Sequence, residues 1–262
     1  MVNFSGDIIW IGFLASLFAG LGTGFGALGV FAIRRLSEQL QDSLLSFAAG
    51  IMLAASFISL LMPAGEFAQA QYQRAWLSAM VVCSGLLAGG GALYLVHRYA
   101  PHEHFVLGRE GPDASTLSRM WLFVIAITLH NFPEGMAVGV GFAGGDLDNG
   151  RTLAVGILLQ NIPEGLAVAT SLLVIGYGRL KAFVVAFLTG LVEPVGGLFG
   201  STMVSLAEPM MPWTLGFAAG AMVFIISDEI VPETHRGNHS MLATFSLMVG
   251  VAVMISLDIL LA

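Results

Sequence analysis

Eight apolar stretches, each about as long as a helix must be to cross a bilayer, dominate this chain. A hydrocarbon core about 30 Å thick takes roughly 20 apolar residues in helical form. The stretches run approximately from Ile8 to Ile33, Leu44 to Met62, Trp76 to Val96, Met120 to Phe142, Leu153 to Ile175, Ala182 to Val204, Trp213 to Val231 and Met241 to Leu261. Between them the connections are short, apart from a polar segment from His97 to Arg119 and a modest one near Gly65 to Arg74. Charge is too scarce for a soluble fold of this length. Charged residues are 10% of the 262, where a soluble domain carries roughly 25%. Hydrophobic residues make up 56%, and mean hydropathy is +0.86. The same numbers exclude disorder, collagen and coiled coil. A strand barrel would need alternating ten-residue segments in place of long apolar runs. The expected fold is an all-α polytopic membrane protein with eight transmembrane helices. Residues 1–262 then form one transmembrane domain, and residues 97–119 a cytoplasmic loop between spans three and four.

Basic residues orient such a bundle. Arg34, Arg35, Arg98, Arg109, Arg119, Arg179, Lys181 and Arg236 fall in one set of loops, and only Arg74 and Arg151 in the other. The excess marks the cytoplasmic side. It puts both termini outside the cytoplasm, which requires an even number of spans. The apolar start has no basic n-region or cleavage site and reads as the first span. Nucleic acid is excluded as a partner, because no basic patch exists to track a backbone; membrane lipids are the expected surroundings. Cys83, the one cysteine, permits no intrachain disulfide and is expected to be a small buried hydrophobe.

Two internal repeats stand out. His130 to Val138 reads His-Asn-Phe-Pro-Glu-Gly-Met-Ala-Val, and Gln160 to Val168 reads Gln-Asn-Ile-Pro-Glu-Gly-Leu-Ala-Val, with six of nine positions identical. Phe47-Ala48-Ala49-Gly50 with Met52 recurs as Phe217-Ala218-Ala219-Gly220 with Met222. Each pair joins spans of opposite direction. Inverted repeats of this kind are typical of secondary transporters, whose substrate site lies at the repeat interface.

Carboxylates also lie where lipid should forbid them. Glu134, Glu164 and Glu193 sit in the middle parts of spans four, five and six, and Asp228, Glu229 and Glu233 towards the cytoplasmic end of span seven. A charge at mid-bilayer costs at least about 2.5–3.5 kcal/mol. No Lys or Arg within spans four to six can pair with the three central ones. Either they are protonated or a cation supplies the charge, which points to cation transport. His130 and Glu134 are four residues apart, as are Gln160 and Glu164, so each pair shares a helix face. Asn131 and Asn161 flank those faces. Pro133 and Pro163 free the carbonyls of Leu129 and Leu159, and Pro194 that of Gly190. One imidazole, several carboxylates and several carboxamides suit borderline divalent ions such as Zn(II), Fe(II) and Mn(II). Two blander arrangements use the same residues: a closed structural zinc site, and a polar core of protonated Glu hydrogen-bonded to Asn and Gln.

At His130-Asn131-Phe132-Pro133-Glu134-Gly135, at Gln160-Asn161-Ile162-Pro163-Glu164-Gly165 and at Glu193 the chain resembles the ZIP family of zinc and iron transporters, in its bacterial, GufA-like branch. The resemblance spans essentially the whole chain. It implies import of a divalent metal into the cytoplasm across a bacterial inner membrane, with Zn(2+), and Fe(2+), Mn(2+) or Cd(2+) besides, as cargo and no cofactor required. It further implies a two-metal centre. His130, Glu134, Gln160 and Glu164 match one site, and Asn131, Glu134, Asn161, Glu164 and Glu193 the second, with both central glutamates bridging. Asn161 stands where some members have Asp, which lowers the charge of that second site. Asp228, where His is common, and Glu229 match an inner or exit site. The resemblance is also compatible with a homodimer, for which the sequence names no interface.

His102, Glu103 and His104, with His97, offer a thin His-rich stretch in the cytoplasmic loop, either a metal contact or an ordinary solvated loop. Asp146 and Asp148 read as a cation-concentrating turn or as helix caps. The rival functions are a membrane-embedded metalloenzyme and a metal-binding protein that transports nothing. Against the enzyme, no His-Glu-x-x-His arrangement occurs.

Overall fold

The computed structural model describes residues 4–33, 35–103, 109–110, 119–142, 145–206, 208–236 and 239–261. Eleven helices account for nearly all of these: α1 (Phe4–Ala27), α2 (Glu38–Ala55), α3 (Met62–Tyr72), α4 (Ala75–Tyr99), α5 (Arg119–Gly141), α6 (Leu147–Val174), α7 (Arg179–Gly190), α8 (Glu193–Leu206), α9 (Met211–Ile225), α10 (Val231–Thr234) and α11 (Ser240–Leu261). The sole strands among the described residues are His102–Glu103 and Arg109–Glu110, an antiparallel pair. His104 lies outside the described residues.

Among the described residues, seven segments are long and apolar enough to cross a membrane. Glu38–Tyr72, Arg179–Leu206 and Met211–Thr234 each join two helices end to end. The eighth long helix is α5, at 23 residues. The protein is thus an all-α polytopic membrane protein.

Two of these joints are π-helical turns, Ser56–Leu61 between α2 and α3 and Ile226–Ile230 between α9 and α10. Their cause is local. Pro63 and Pro232 have no N–H, and their rings crowd the carbonyl four residues back. The residues just before them, Met62 and Val231, donate instead five residues back, to Phe57 O and Ile226 O. Absorbed this way, Pro63 does not end the helix, which runs on to Tyr72 through the segment expected to start a loop at Gly65. The third joint, at Leu191 and Val192, tightens into 3₁₀-type bonds to Leu188 O and Thr189 O immediately before Glu193-Pro194.

Helix pairing follows the repeats. The most extensive contacts are α4 with α9, α1 with α6, α2 with α11, and α5 with α8. Exchange of span two for seven, three for eight, one for six and four for five maps this set onto itself. Gly50 and Gly220 occupy equivalent places in it. A Cβ on Gly50 would strike the carbonyl of Leu247 in α11, and one on Gly220 the carbonyl of Leu86 in α4. The short Phe-Ala-Ala-Gly match therefore marks two equivalent close crossings, and each π turn begins six residues beyond its glycine. Two helix groups result. One holds α2, α3, α4, α9, α10 and α11; the other holds α1, α5, α6, α7 and α8. Cys83, expected inside, is exposed on α4. In a lipid-facing helix the outer face is as apolar as the core, so an apolar neighbourhood does not imply burial.

Candidate metal centre

The polar repeat meets itself at the middle of the second group. Inward from α5 come Asn131 and Glu134; from α6, Gln160, Asn161 and Glu164; and Glu193 is the first residue of α8. All six are buried, with Asn131, Gln160, Asn161 and Glu193 fully so. The contact between α5 and α8 depends on Gly135, where a Cβ would run into the backbone of Glu193. Gly165, its counterpart on α6, fits against the backbone of Thr23 in the same manner.

Hydrogen bonds tie the set together. Gln160 Nε2 donates to Glu134 Oε2 and, at 2.7 Å, to Asn161 Oδ1. Asn161 Nδ2 donates to Glu193 Oε1 at 2.7 Å and to Ala19 O of α1 at 2.9 Å. Several buried oxygens are left over. Asn131 Oδ1, Gln160 Oε1, Glu164 Oε1 and Glu193 Oε2 receive no hydrogen bond from the protein. Orphaned buried acceptors are costly, about 1–3 kcal/mol each and more where charged. Four such acceptors on three packed helices, α5, α6 and α8, are groups that a cation would satisfy.

His130, expected beside Glu134, turns its ring nitrogen elsewhere. Its Nε2 lies 2.7 Å from Glu229 Oε2, in the π turn after α9. The other oxygen of Glu229 lies 3.0 Å from His97 Nε2. His97 was expected in the loop, but α4 continues to Tyr99 and buries His97 in its last turn, edge-on to Phe224 at 5.3 Å between ring centroids. Ligand atoms of His97, His130 and Glu229 all lie within 4.8 Å of one another. Two imidazoles and a carboxylate at this spacing can hold a borderline divalent ion with a fourth position left open. Asp228 follows, its Oδ2 3.9 Å from His97 Nδ1 and its side chain 51% exposed, whereas Glu134 is buried. The polar track thus becomes exposed towards Asp228, beyond the end of α9, whereas at the other end of the centre residues Met136–Phe142, at the C-terminus of α5, are all buried. There Asp146 caps α6 by accepting from the Asn149 N–H at 3.0 Å.

Sequence comparison decides the family. Residues 98–258 match the ZIP zinc transporter family. The chain is 44% identical to zinc transporter GufA of Myxococcus xanthus over 94% of its own length and 97% of that protein's. It belongs to the ZIP family. Zinc transporter ZIPB of Bordetella bronchiseptica is 45% identical, over 90% of this chain and 76% of its own length. Human zinc transporter ZIP11 is 33% identical over 90% and 93%. ZIP membership, with the GufA-like branch among its relatives, agrees with the resemblance carried by the two Pro-Glu-Gly motifs. It removes the metalloenzyme, since ZIP proteins are transporters of divalent cations.

Proposed function

We propose that this ZIP protein carries zinc, with iron, manganese and cadmium as competing cargo, into the cytoplasm of a bacterium. The observation that carries the reading is the set of buried acceptor oxygens at Asn131, Gln160, Glu164 and Glu193, on three packed helices, that receive no protein donor. The zinc-transporter names of the relatives support zinc as the principal cargo. In this account the centre holds two ions. Glu134, Gln160, Glu164 and His130 bind one; Asn131, Asn161, Glu193 and the two bridging carboxylates of Glu134 and Glu164 bind the other. An ion leaving the first site is passed by His130 to Glu229 and His97 and departs past Asp228. The bias of basic residues supports an orientation with both termini on the periplasmic side of the inner membrane.

The chemistry of the donor set gives a test. Carboxylate and imidazole ligands must shed their protons to bind metal, so protons compete with cargo. Initial zinc-65 uptake into proteoliposomes should fall steadily as the medium is acidified, and iron(II), manganese and cadmium should each inhibit it. Uptake indifferent to both acid and competing ions would contradict a carboxylate–imidazole path.

A further inference from the structure

The side chain of Asn149 takes no part in the metal centre described above. It lies in the first turn of α6, at the end of the bundle opposite Asp228, with its backbone fixed by the Asp146 cap. Its side-chain amide donates two hydrogen bonds, to Ser59 O at 3.1 Å and to Gly141 O at 2.9 Å.

Both acceptors have lost their regular helical donor. Ser59 O would receive the N–H of residue 63 in an α-helix, but that residue is Pro63. Gly141 O, at the C-terminus of α5, would receive the N–H of Gly145, which instead donates to Phe142 O at 3.1 Å. One amide therefore replaces two missing backbone donors. The two carbonyls belong to different helix groups: Gly141 sits with the metal-bearing helices, Ser59 in the π turn of the other group.

We propose that Asn149 is a positioning residue for transport, a clamp that ties the metal-bearing helix group to the π turn at Ser59 and keeps the central carboxylates closed on the α5–α6 side. Passage of an ion through a centre shut at this end requires the bond to Ser59 to break and reform. The proposal rests on the transport reading above, but its primary test does not need flux. An equilibrium between closed and open forms shifts by the free energy of the contact that one form alone possesses. Loss of one or two such bonds should raise the open population about tenfold.

The test uses two single-cysteine probes in a C83S background, followed with a water-soluble thiol reagent in detergent. S59C reports on the clamp, where the native side chain is fully buried, and S227C on the opposite end, where it is exposed. N149D keeps the shape of the side chain but removes its donors; N149A removes them without adding charge and stands in should the charged variant fail to fold. The expected result is about tenfold faster modification of S59C together with slower modification of S227C. In a P63A background the backbone can serve Ser59 O, and N149A should then change S59C less. Unchanged S59C rates would overturn the clamp, as would both probes speeding up together, the mark of general loosening. Absence of zinc-65 flux in the wild-type protein would count against transport alone, because the modification rates read the clamp independently.

Discussion

Glu134→Ala should leave the centre unable to hold either of its two ions. Isothermal titration of the purified protein with zinc is expected to show the affinity of both lost by more than about 100-fold, since changes in supporting residues alone cost about 10–100-fold. Glu193→Ala should behave differently and remove one ion while sparing the other. The contrast follows from placement. Glu134 is buried between α5 and α6, held by Gln160, where it can serve both ions. Glu193 reaches the set from α8 through Asn161. Equal losses in the two variants would refute the division into two sites.

The second large effect comes from a residue with no ligand atoms. Gly135→Val should destabilise the protein by about 3 kcal/mol, the upper part of the usual range for overpacking, and should weaken zinc binding at the same time. Any side chain at 135 collides with the carbonyl, C and Cα of Glu193, all of them backbone and unable to rotate away. α5 and α8 must then separate, moving Glu193 off the centre. Gly65→Ala is the control, because nothing lies within 4 Å of its added Cβ. Thermal unfolding with and without zinc checks both. An unchanged G135V midpoint would show that the contact between α5 and α8 is looser than the structure has it.

The sequence already displayed the parts of this account that depend on near neighbours. Pro-Glu-Gly recurring thirty residues apart placed Glu134 and Glu164 on corresponding turns, and spacing by four put His130 and Gln160 over them. The Phe-Ala-Ala-Gly match, short and made of common residues, corresponds to two equivalent backbone crossings at Gly50 and Gly220. Proline at 63 and 232 was visible, but whether a proline ends a helix or is absorbed by a π turn depends on what packs around it. At Pro63 the packing includes Asn149, 86 residues further on.

His97 could not be read in the same way. Its neighbours Arg98, Tyr99 and Ala100-Pro101 look like the frayed end of a span, and its partners are 33 and 132 residues away at His130 and Glu229. The one available signal is that His97 directly continues the apolar run ending at Val96, so the helix had no reason to stop before it. The rotation of His130 towards Glu229 instead of Glu134 is likewise a product of tertiary packing. It depends on α9 crossing α4 closely enough, through Gly85 and Gly89 against Trp213 and Phe217, to bring the π turn to α5. Cys83 misled for the opposite reason, because burial cannot be inferred from apolarity in a helix surrounded by lipid.

The central claim is that metal crosses the membrane through the carboxylates of Glu134 and Glu164. Initial-rate zinc-65 uptake into proteoliposomes, with wild type and E134A/E164A inserted at matched density, tests it most directly. The account predicts saturable wild-type uptake down an imposed zinc gradient and none above protein-free vesicles for the double variant. Equal uptake by both proteins would contradict it.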